Sequence, residues 1–397
     1  MHVGINAQLL SYSQNYRNGG VSRYIRYLLA ALAEQAGEHE YTVFVNGQDV
    51  VDRLNAQNPR ISYVSAPWLE SRPSARVAWE QLTLPGLIRQ RRIDVLHSPV
   101  NVLPIWLPRQ CAGVVTLHDL AFLRFPEVLT RPKRLYHRTF TVRSIRRAAM
   151  VISVSESTKQ DAVKLAGVSA GRVQVVHPYL DERFSRQPSL EEVTAFRRER
   201  GYTDGFLLYL GTLEPRKNIT TLIEAYALLR DKYGRREKLV LAGGKGWLYD
   251  AIFARVKELG LTEAVVFPGF VADDKQVLWY TAAAAFVYPS LYEGFGIPVA
   301  EALACGTPVV TSNVSSLPEA GMGVALMVDP RDAEALAAAI YSALTDKAVQ
   351  ARTRQMASAV AQRFSARAMA AQTIAVYEQA AATCASHLDN RRVTYVR

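Results

Sequence analysis

The chain has 397 residues, 49% hydrophobic and 21% charged, which is more than one ordinary core holds and predicts a folded protein of two domains. Cys111, Cys305 and Cys384 are too few and too scattered for a disulfide framework or a zinc site. The net charge of +11 is uneven, with 22 Lys and Arg against 12 Asp and Glu in residues 1–180 and 25 against 24 in the remainder, so the first half is expected to meet an anionic partner.

Met1-His-Val-Gly-Ile-Asn-Ala7 runs directly into a strand, with no basic segment followed by a long apolar one, so no signal peptide is expected. No stretch reaches the length of a transmembrane helix. These features predict a cytoplasmic protein. Strands are predicted at Val3–Asn6 and Tyr41–Asn46, flanking a helix from about Val21 to Gln35. Asn18-Gly19-Gly20 opens that helix and is not Gly-x-Gly-x-x-Gly, which argues against a dinucleotide cofactor. Further strands are predicted at Ile61–Ser65, Val95–Ser98, Gly113–Leu117, Val151–Val154 and Val173–His177. His118 and Asp119 follow one of these buried strands. The densest basic run, Arg131-Pro-Lys-Arg-Leu-Tyr-His-Arg138, continues to Arg143, Arg146 and Arg147, with its cations spread around a helical axis. A solvated helix accounts for such a run, and no nucleic-acid motif accompanies it.

Pro178 to Asp204 is polar and carries a charged helix at Leu190–Arg200, which marks the junction between domains. The second half repeats the alternation, with strands at Leu207–Gly211, Leu239–Ala242, Val265–Phe267, Ala285–Tyr288, Val309–Thr311 and Leu326–Val328. Helical patterns lie between them at Ile219–Arg230 and Ala333–Leu344, and a last one spans Ser365–Ala382. Alternating strands and helices predict a parallel sheet with covering helices in each half.

Two loops in the second half hold the most informative chemistry. Leu210-Gly-Thr-Leu-Glu-Pro-Arg-Lys-Asn218 follows one strand and opens a helix. Arg216 offers a fork to phosphate oxygens and Lys217 a compact charge, although an exposed basic turn would read the same way. Pro289-Ser-Leu-Tyr-Glu-Gly-Phe-Gly-Ile-Pro-Val-Ala-Glu301 follows another strand, with Pro298 in the first turn of a helix and Gly306 at its stop. Glu293 then falls in the loop at the strand's carboxyl end, and Glu301 in or just after the helix's first turn. Each glutamate alone could be a solvated acid or a complement to the helix dipole. In an open parallel sheet, however, that edge is where ligands bind.

The Glu-x7-Glu stretch, with its glycines, prolines and the following Thr-Pro-Val-Val310, resembles the signature of retaining glycosyltransferases of family 4. The resemblance extends over nearly the whole chain and implies the GT-B fold, two Rossmann-like domains facing across a cleft. It implies an acceptor domain over residues 1–180, a donor domain over 181–364 and a terminal helix, 365–397, that returns to the first domain. It further implies that Arg216 and Lys217 grip a donor diphosphate, that Glu301 meets the nucleotide ribose and that Glu293 and His118 meet the donor sugar. Gly211, Thr212, Gly243, Gly244, Gly294, Phe295, Gly296 and Ile297 would line the donor, with Phe270 and Val271 at the base. Gly19 and Gly20 would form a loop near the diphosphate and acceptor, with Asp119 an acceptor-side acid or a structural partner.

The local flavour resembles bacterial mannosyltransferase-like members, which implies transfer of mannose from GDP-mannose, or of a hexose from a UDP-sugar, to a lipid-linked or growing cell-surface glycan. No cofactor is implied, and with no Asp-x-Asp in the chain the reaction is expected to be metal-independent. The implied partners are the nucleotide sugar, the glycan acceptor and an anionic membrane surface met by the basic first half; nucleic acid is not among them. Paired glutamates would also suit a retaining glycosidase, but that chemistry requires neither the Arg216-Lys217 element nor two Rossmann-like halves. A sugar-nucleotide epimerase or a non-catalytic nucleotide-sugar-binding module would share the body. A phosphorylase would carry a pyridoxal-phosphate lysine motif that the chain lacks.

Overall fold

A computed structural model of the chain describes residues 1–12, 20–35, 37–57, 61–66, 73–125, 137–202, 205–244, 246 and 249–394. Asn18, Gly19 and Arg131–Tyr136 lie outside the described residues, as do Thr203 and Asp204. The chain divides into two compact units, Met1–Tyr179 with Ala366–Arg397, and Leu180–Ser365.

In the first unit, β1 (His2–Asn6), β2 (Glu40–Val45), β3 (Ser62–Ser65), β4 (Val95–Ser98), β5 (Ala112–Leu117), β6 (Met150–Ser153) and β7 (Val173–Val175) form one sheet ordered β3-β2-β1-β4-β5-β6-β7. Every pairing is parallel. A parallel sheet is covered on both faces, so its strands read as nearly continuous apolar runs; all six residues of β5 are buried. β7 stops at Val175, short of the expected His177. The Val176 amide still donates to Ser153 O at 2.9 Å, but Pro178, two residues on, has no amide hydrogen to continue the ladder. The last helix, Ala366–Thr394, packs against the helix Gly20–Glu34 and against β4, β5 and β6. Its Met369, Ala370, Thr373, Val376, Tyr377 and Ala380 are buried there.

The second unit holds β8 (Phe206–Leu210), β9 (Lys238–Ala242), β10 (Val265–Gly269), β11 (Ala285–Tyr288), β12 (Val309–Ser312) and β13 (Leu326–Val328), ordered β10-β9-β8-β11-β12-β13 and again all parallel. The helix Leu190–Glu199 opens it with a reciprocal cap: the Glu192 amide donates to Ser189 Oγ, and the Ser189 amide to Glu192 Oε2 at 2.7 Å. In each sheet the strand order reverses once, between β1 and β4 and between β8 and β11. Loops leaving the carboxyl ends of such a pair diverge and leave a crevice, the usual ligand position in a doubly wound sheet. Among the described residues no helix is long and apolar enough to cross a membrane.

Candidate active site

The two informative loops leave β8 and β11, the pair at which the second sheet reverses. After β8 the chain runs through Gly211 to Glu214, makes a short turn at Pro215–Lys217 and enters the helix Ile219–Tyr233. Asn218 joins turn to helix at φ +58°, a left-handed conformation that Asn tolerates better than most residues. Its side-chain amide donates to Pro289 O at 3.1 Å, and the Leu291 amide donates to Arg216 O at 2.9 Å. These bonds tie the loop after β8 to the loop after β11.

Within that junction Glu293 is held by both cations. Lys217 Nζ donates to Glu293 Oε1 at 2.6 Å and to Tyr288 Oη at 2.8 Å. Arg216 Nη1 donates to Glu293 Oε2 at 3.3 Å and to Tyr292 O at 2.9 Å, while its Nη2 donates to Glu214 Oε1 at 3.0 Å. Glu293 and Lys217 are buried. Burial alone would raise the Glu293 carboxyl, but the adjacent charges of Lys217 and then Arg216 outweigh it and hold it below its ordinary range. Ser315 and Ser316 fix the Glu293 backbone: its amide donates to Ser315 Oγ and its carbonyl accepts from Ser316 Oγ. Tyr288 and Tyr209 stack beneath at 5.7 Å, and burial drives both phenols well above their usual range.

The cluster therefore contains two cations, Arg216 and Lys217, and two carboxylates, Glu214 and Glu293. An incoming diphosphate would compete with Glu293 for the same two donors. A preorganised pair of cations beside a displaceable acid suits the charge that builds on a leaving diphosphate.

Glu301 is the fifth residue of the helix Ile297–Ala304, one turn in, and is buried. Tyr280 Oη donates to its Oε2 at 2.8 Å. Gly296 starts that helix at φ +101°, where a Cβ would also lie 2.8 Å from Leu317 Cδ2, so its glycine is required by the helix start itself. Phe295 turns its ring into the unit's interior, edge-on to Phe364 at 5.1 Å. Ile297 is the first residue of the same helix, and Gly294 lies between Glu293 and that start.

Gly211 and Gly243, expected to line the donor, have their amides bonded within the fold: Gly211 N donates to Ala242 O, and Gly243 N to Gly269 O. A Cβ on Gly243, at φ +143°, would sit 1.9 Å from Gly211 O, so one loop's backbone fills that space. Gly244 has open space where a Cβ would point, and its carbonyl accepts from the Leu213 amide. Thr212 is exposed, as is Phe270, whereas Val271 is buried beside it.

His118 and Asp119 belong to the first unit. His118 follows β5 directly, and its Nε2 lies 2.8 Å from Pro99 O. A carbonyl only accepts, so Nε2 carries the proton and the neutral ring leaves Nδ1 as an acceptor. Burial lowers the His118 pKa from its ordinary value, against the Pro99 bond and the charge of Asp119. Asp119 Oδ1 accepts from the Ala121 amide at 3.0 Å, starting the short helix Ala121–Arg124. Gly20 is the first residue of the helix Gly20–Glu34, exposed, with open space around it.

A model of the glycosyl transferases group 1 matches residues 193–362, and a model of Glycosyltransferase Family 4 matches residues 18–184. The O-antigen chain mannosyltransferase B of Escherichia coli is 33% identical over 292 residues, covering 73% of this chain and 76% of that protein. The chain belongs to the family 4 glycosyltransferases. The serotype-specific mannosyltransferase WbdA of Escherichia coli is 27% identical over 397 residues, 92% of this chain but only 46% of WbdA. The chain thus spans about half of that relative. Among solved structures, Anabaena HepE in complex with UDP and glucose superposes with a TM-score of 0.67 at 19% identity, covering 97% of this chain and 100% of that one. That likeness gives the family 4 chain its fold, GT-B.

Sequence reasoning missed several residues of this cluster. Glu214 stood in the quoted motif without a role, though an acid two positions before Arg216 was a signal. Tyr288, as the last residue of a buried strand, could have been flagged as a phenol at the ligand edge. Tyr280, Ser315 and Ser316 arrive from distant positions, and nothing local pointed to them.

Proposed function

We propose that the chain transfers a hexose, mannose from GDP-mannose, with retention of configuration to a lipid-linked or growing polysaccharide acceptor in O-antigen-type surface glycan assembly. The observation that carries the chemistry is the Arg216–Lys217–Glu293 cluster at the reversal of the second sheet. The choice of mannose follows the names of the relatives, the O-antigen chain mannosyltransferase B and WbdA.

In this reading Arg216 and Lys217 take up the donor diphosphate as Glu293 turns toward the sugar. The bond from the anomeric carbon to the phosphate oxygen breaks, and the acceptor hydroxyl oxygen forms the new bond to that carbon. The acceptor proton passes to the departing phosphate oxygen. Charge on the leaving nucleoside diphosphate peaks in the transition state, where fixed cations act most strongly. Glu301 accepts hydrogen bonds from the ribose, and His118 Nδ1 accepts one from a sugar hydroxyl. No metal is required, because the two cations supply the charge. Incubation of the protein with GDP-mannose and lipid-linked saccharide in EDTA tests this. Transfer of mannose in the α configuration with GDP release is expected. Transfer from UDP-glucose instead would replace the donor; release of a new nucleotide sugar without acceptor, or loss in EDTA restored by Mg²⁺, would overturn the reading.

The acceptor side also favours an anionic membrane. Trp106 is 66% exposed in the apolar loop Pro104-Ile-Trp-Leu107. The Leu103 amide donates to Ser144 Oγ at 3.0 Å, which ties this loop to the helix Val142–Arg147. Arg143 and Arg147 of that helix are exposed. An amphipathic ring beside arginines suits the headgroup level of an anionic bilayer. Sedimentation with vesicles containing phosphatidylglycerol, compared with phosphatidylcholine alone, should show binding to the first that weakens in Trp106→Ala; equal binding to both would contradict it.

A further inference from the structure

His97 on β4 is fully buried, and the proposed chemistry makes no use of it. Its Nδ1 lies 2.6 Å from Tyr377 Oη on the last helix, and its Nε2 lies 2.8 Å from Thr116 Oγ1 on β5. Thr116 Oγ1 in turn lies 3.4 Å from Tyr24 Oη on the helix Gly20–Glu34. The Tyr24 ring stands edge-on to His118, with centroids 4.7 Å apart and planes at 85°. His97, Thr116 and Tyr377 are each 0% exposed and Tyr24 is 3% exposed.

The geometry repeats itself along the sheet. β4 and β5 are parallel neighbours. Side chains two apart on a strand share a face, so Thr116 stands one step below His118. His97 stands likewise one step below Pro99. The bond from His97 to Thr116 is one rung, and the bond from His118 to Pro99 O is the next. A buried polar chain of this kind stabilises no more than well-packed apolar side chains would, and a group left unpaired in it is costly. What it supplies is a single arrangement of the groups it joins.

We propose that Tyr377 is a positioning residue for His118. Acting through His97, Thr116 and Tyr24, it holds the Tyr24 ring against one side of the imidazole while Pro99 O holds Nε2. The ring is then fixed in the tautomer and rotamer that present Nδ1 as an acceptor for a donor-sugar hydroxyl. The last helix, which follows the second unit in sequence and packs on the first, thereby helps set sugar recognition. The proposal rests on the reading of His118 as the sugar contact.

The test uses the full chain. Tyr377→Phe removes one hydroxyl, and Thr116→Val breaks the same chain at another link. Binding of GDP-mannose and of GDP is measured for both variants, for His118→Ala and for the double variant Tyr377→Phe/His118→Ala. The expected result is a 3- to 10-fold loss of affinity for GDP-mannose (roughly what one modest hydrogen bond gives) in each single variant, with GDP binding unchanged. No further loss is expected when Tyr377→Phe is added to His118→Ala. In nitrogen NMR, the Nε2-protonated signature of His118 should broaden or mix with the other tautomer in Tyr377→Phe. Additive losses, equal losses for GDP and GDP-mannose, or failure of both hydroxyl variants to fold would assign the network to stability alone and overturn the proposal. If His118→Ala weakens both ligands equally, the sugar-contact reading itself fails. If it discriminates and Tyr377→Phe does not, only the positioning role fails.

Discussion

Lys217 Nζ lies 2.6 Å from Glu293 Oε1, although 76 positions separate them in the chain. The bond joins two loops that leave adjacent parallel strands, and it explains how a phosphate-type motif and a paired-glutamate motif become one site. Neither residue is exposed enough to be a solvated surface charge. Their pairing makes each the other's neutralising partner.

Lys217→Ala should therefore act twice. It leaves the Glu293 carboxylate buried with Arg216 as its remaining partner, which predicts a destabilisation of about 3–5 kcal/mol by denaturant titration. It also removes a preorganised charge from the leaving group, and turnover should drop by roughly 100- to 1,000-fold. A variant that loses stability but keeps turnover would separate Lys217 from the chemistry.

Glu293 holds its carboxyl below the ordinary range. The stability this gives is present above the unfolded-state value and disappears as pH falls through the lower folded-state value. Glu293→Gln should flatten that acid limb in denaturant titrations between pH 5 and 2, which are round limits set around the usual carboxylate pKa of about 4. An unchanged limb would show that the pairing contributes nothing to it.

Glu301→Gln should weaken free nucleotide and nucleotide sugar alike, by about 10-fold, because a ribose contact is shared by ground and transition states. Steady-state kinetics should show the change in KM with kcat held within a few fold. A selective loss of kcat would place Glu301 in the chemical step instead.

His97 gives a pH prediction of its own. Burial, then the nearby His118, lowers its pKa from 6.5 to about 3, and the Tyr377 phenol lies against its Nδ1. Between those two values the unfolded chain binds a proton that the folded chain refuses. Stability should fall as pH falls across that window, by up to about 1.4 kcal/mol per pH unit. His97→Asn should lose that slope relative to the parent protein, whatever its stability at neutral pH.

Gly243→Ala should destabilise by more than about 4 kcal/mol, since its Cβ would collide with the backbone oxygen of Gly211 at a φ that non-glycine residues rarely adopt. Soluble expression and thermal unfolding check this. A variant of near-native stability would mean that the loop after β8 can move aside.

Much of the fold was legible because buried parallel strands leave continuous apolar runs: Ala285–Tyr288 and Leu326–Val328 stand where the hydrophobic pattern puts them. Strand ends were less legible, because pairing rather than composition extends β10 to Gly269. The helix Lys347–Arg363, with mostly polar residues and few buried ones, has no strong apolar stripe to announce it. At the candidate site, the position of Arg216, Lys217 and Glu293 after strand ends was legible, and the resemblance singled them out. Their direct contact was not, since it depends on the strand order β8-β11, which skips two intervening strands. The close approach of Gly243 to the Gly211 backbone was not legible for a related reason: a glycine that admits a ligand and one that admits a neighbouring backbone read alike until the neighbour is known.

The central claim is that Arg216 and Lys217 grip the diphosphate of a guanine nucleotide sugar. Calorimetric titration of GDP, UDP, GDP-mannose and UDP-glucose in EDTA, on the parent protein and on Arg216→Ala/Lys217→Ala, tests it most directly. The account predicts selective binding of GDP and GDP-mannose that the double variant abolishes. Binding of none of the four, or binding that survives loss of both cations, would contradict it.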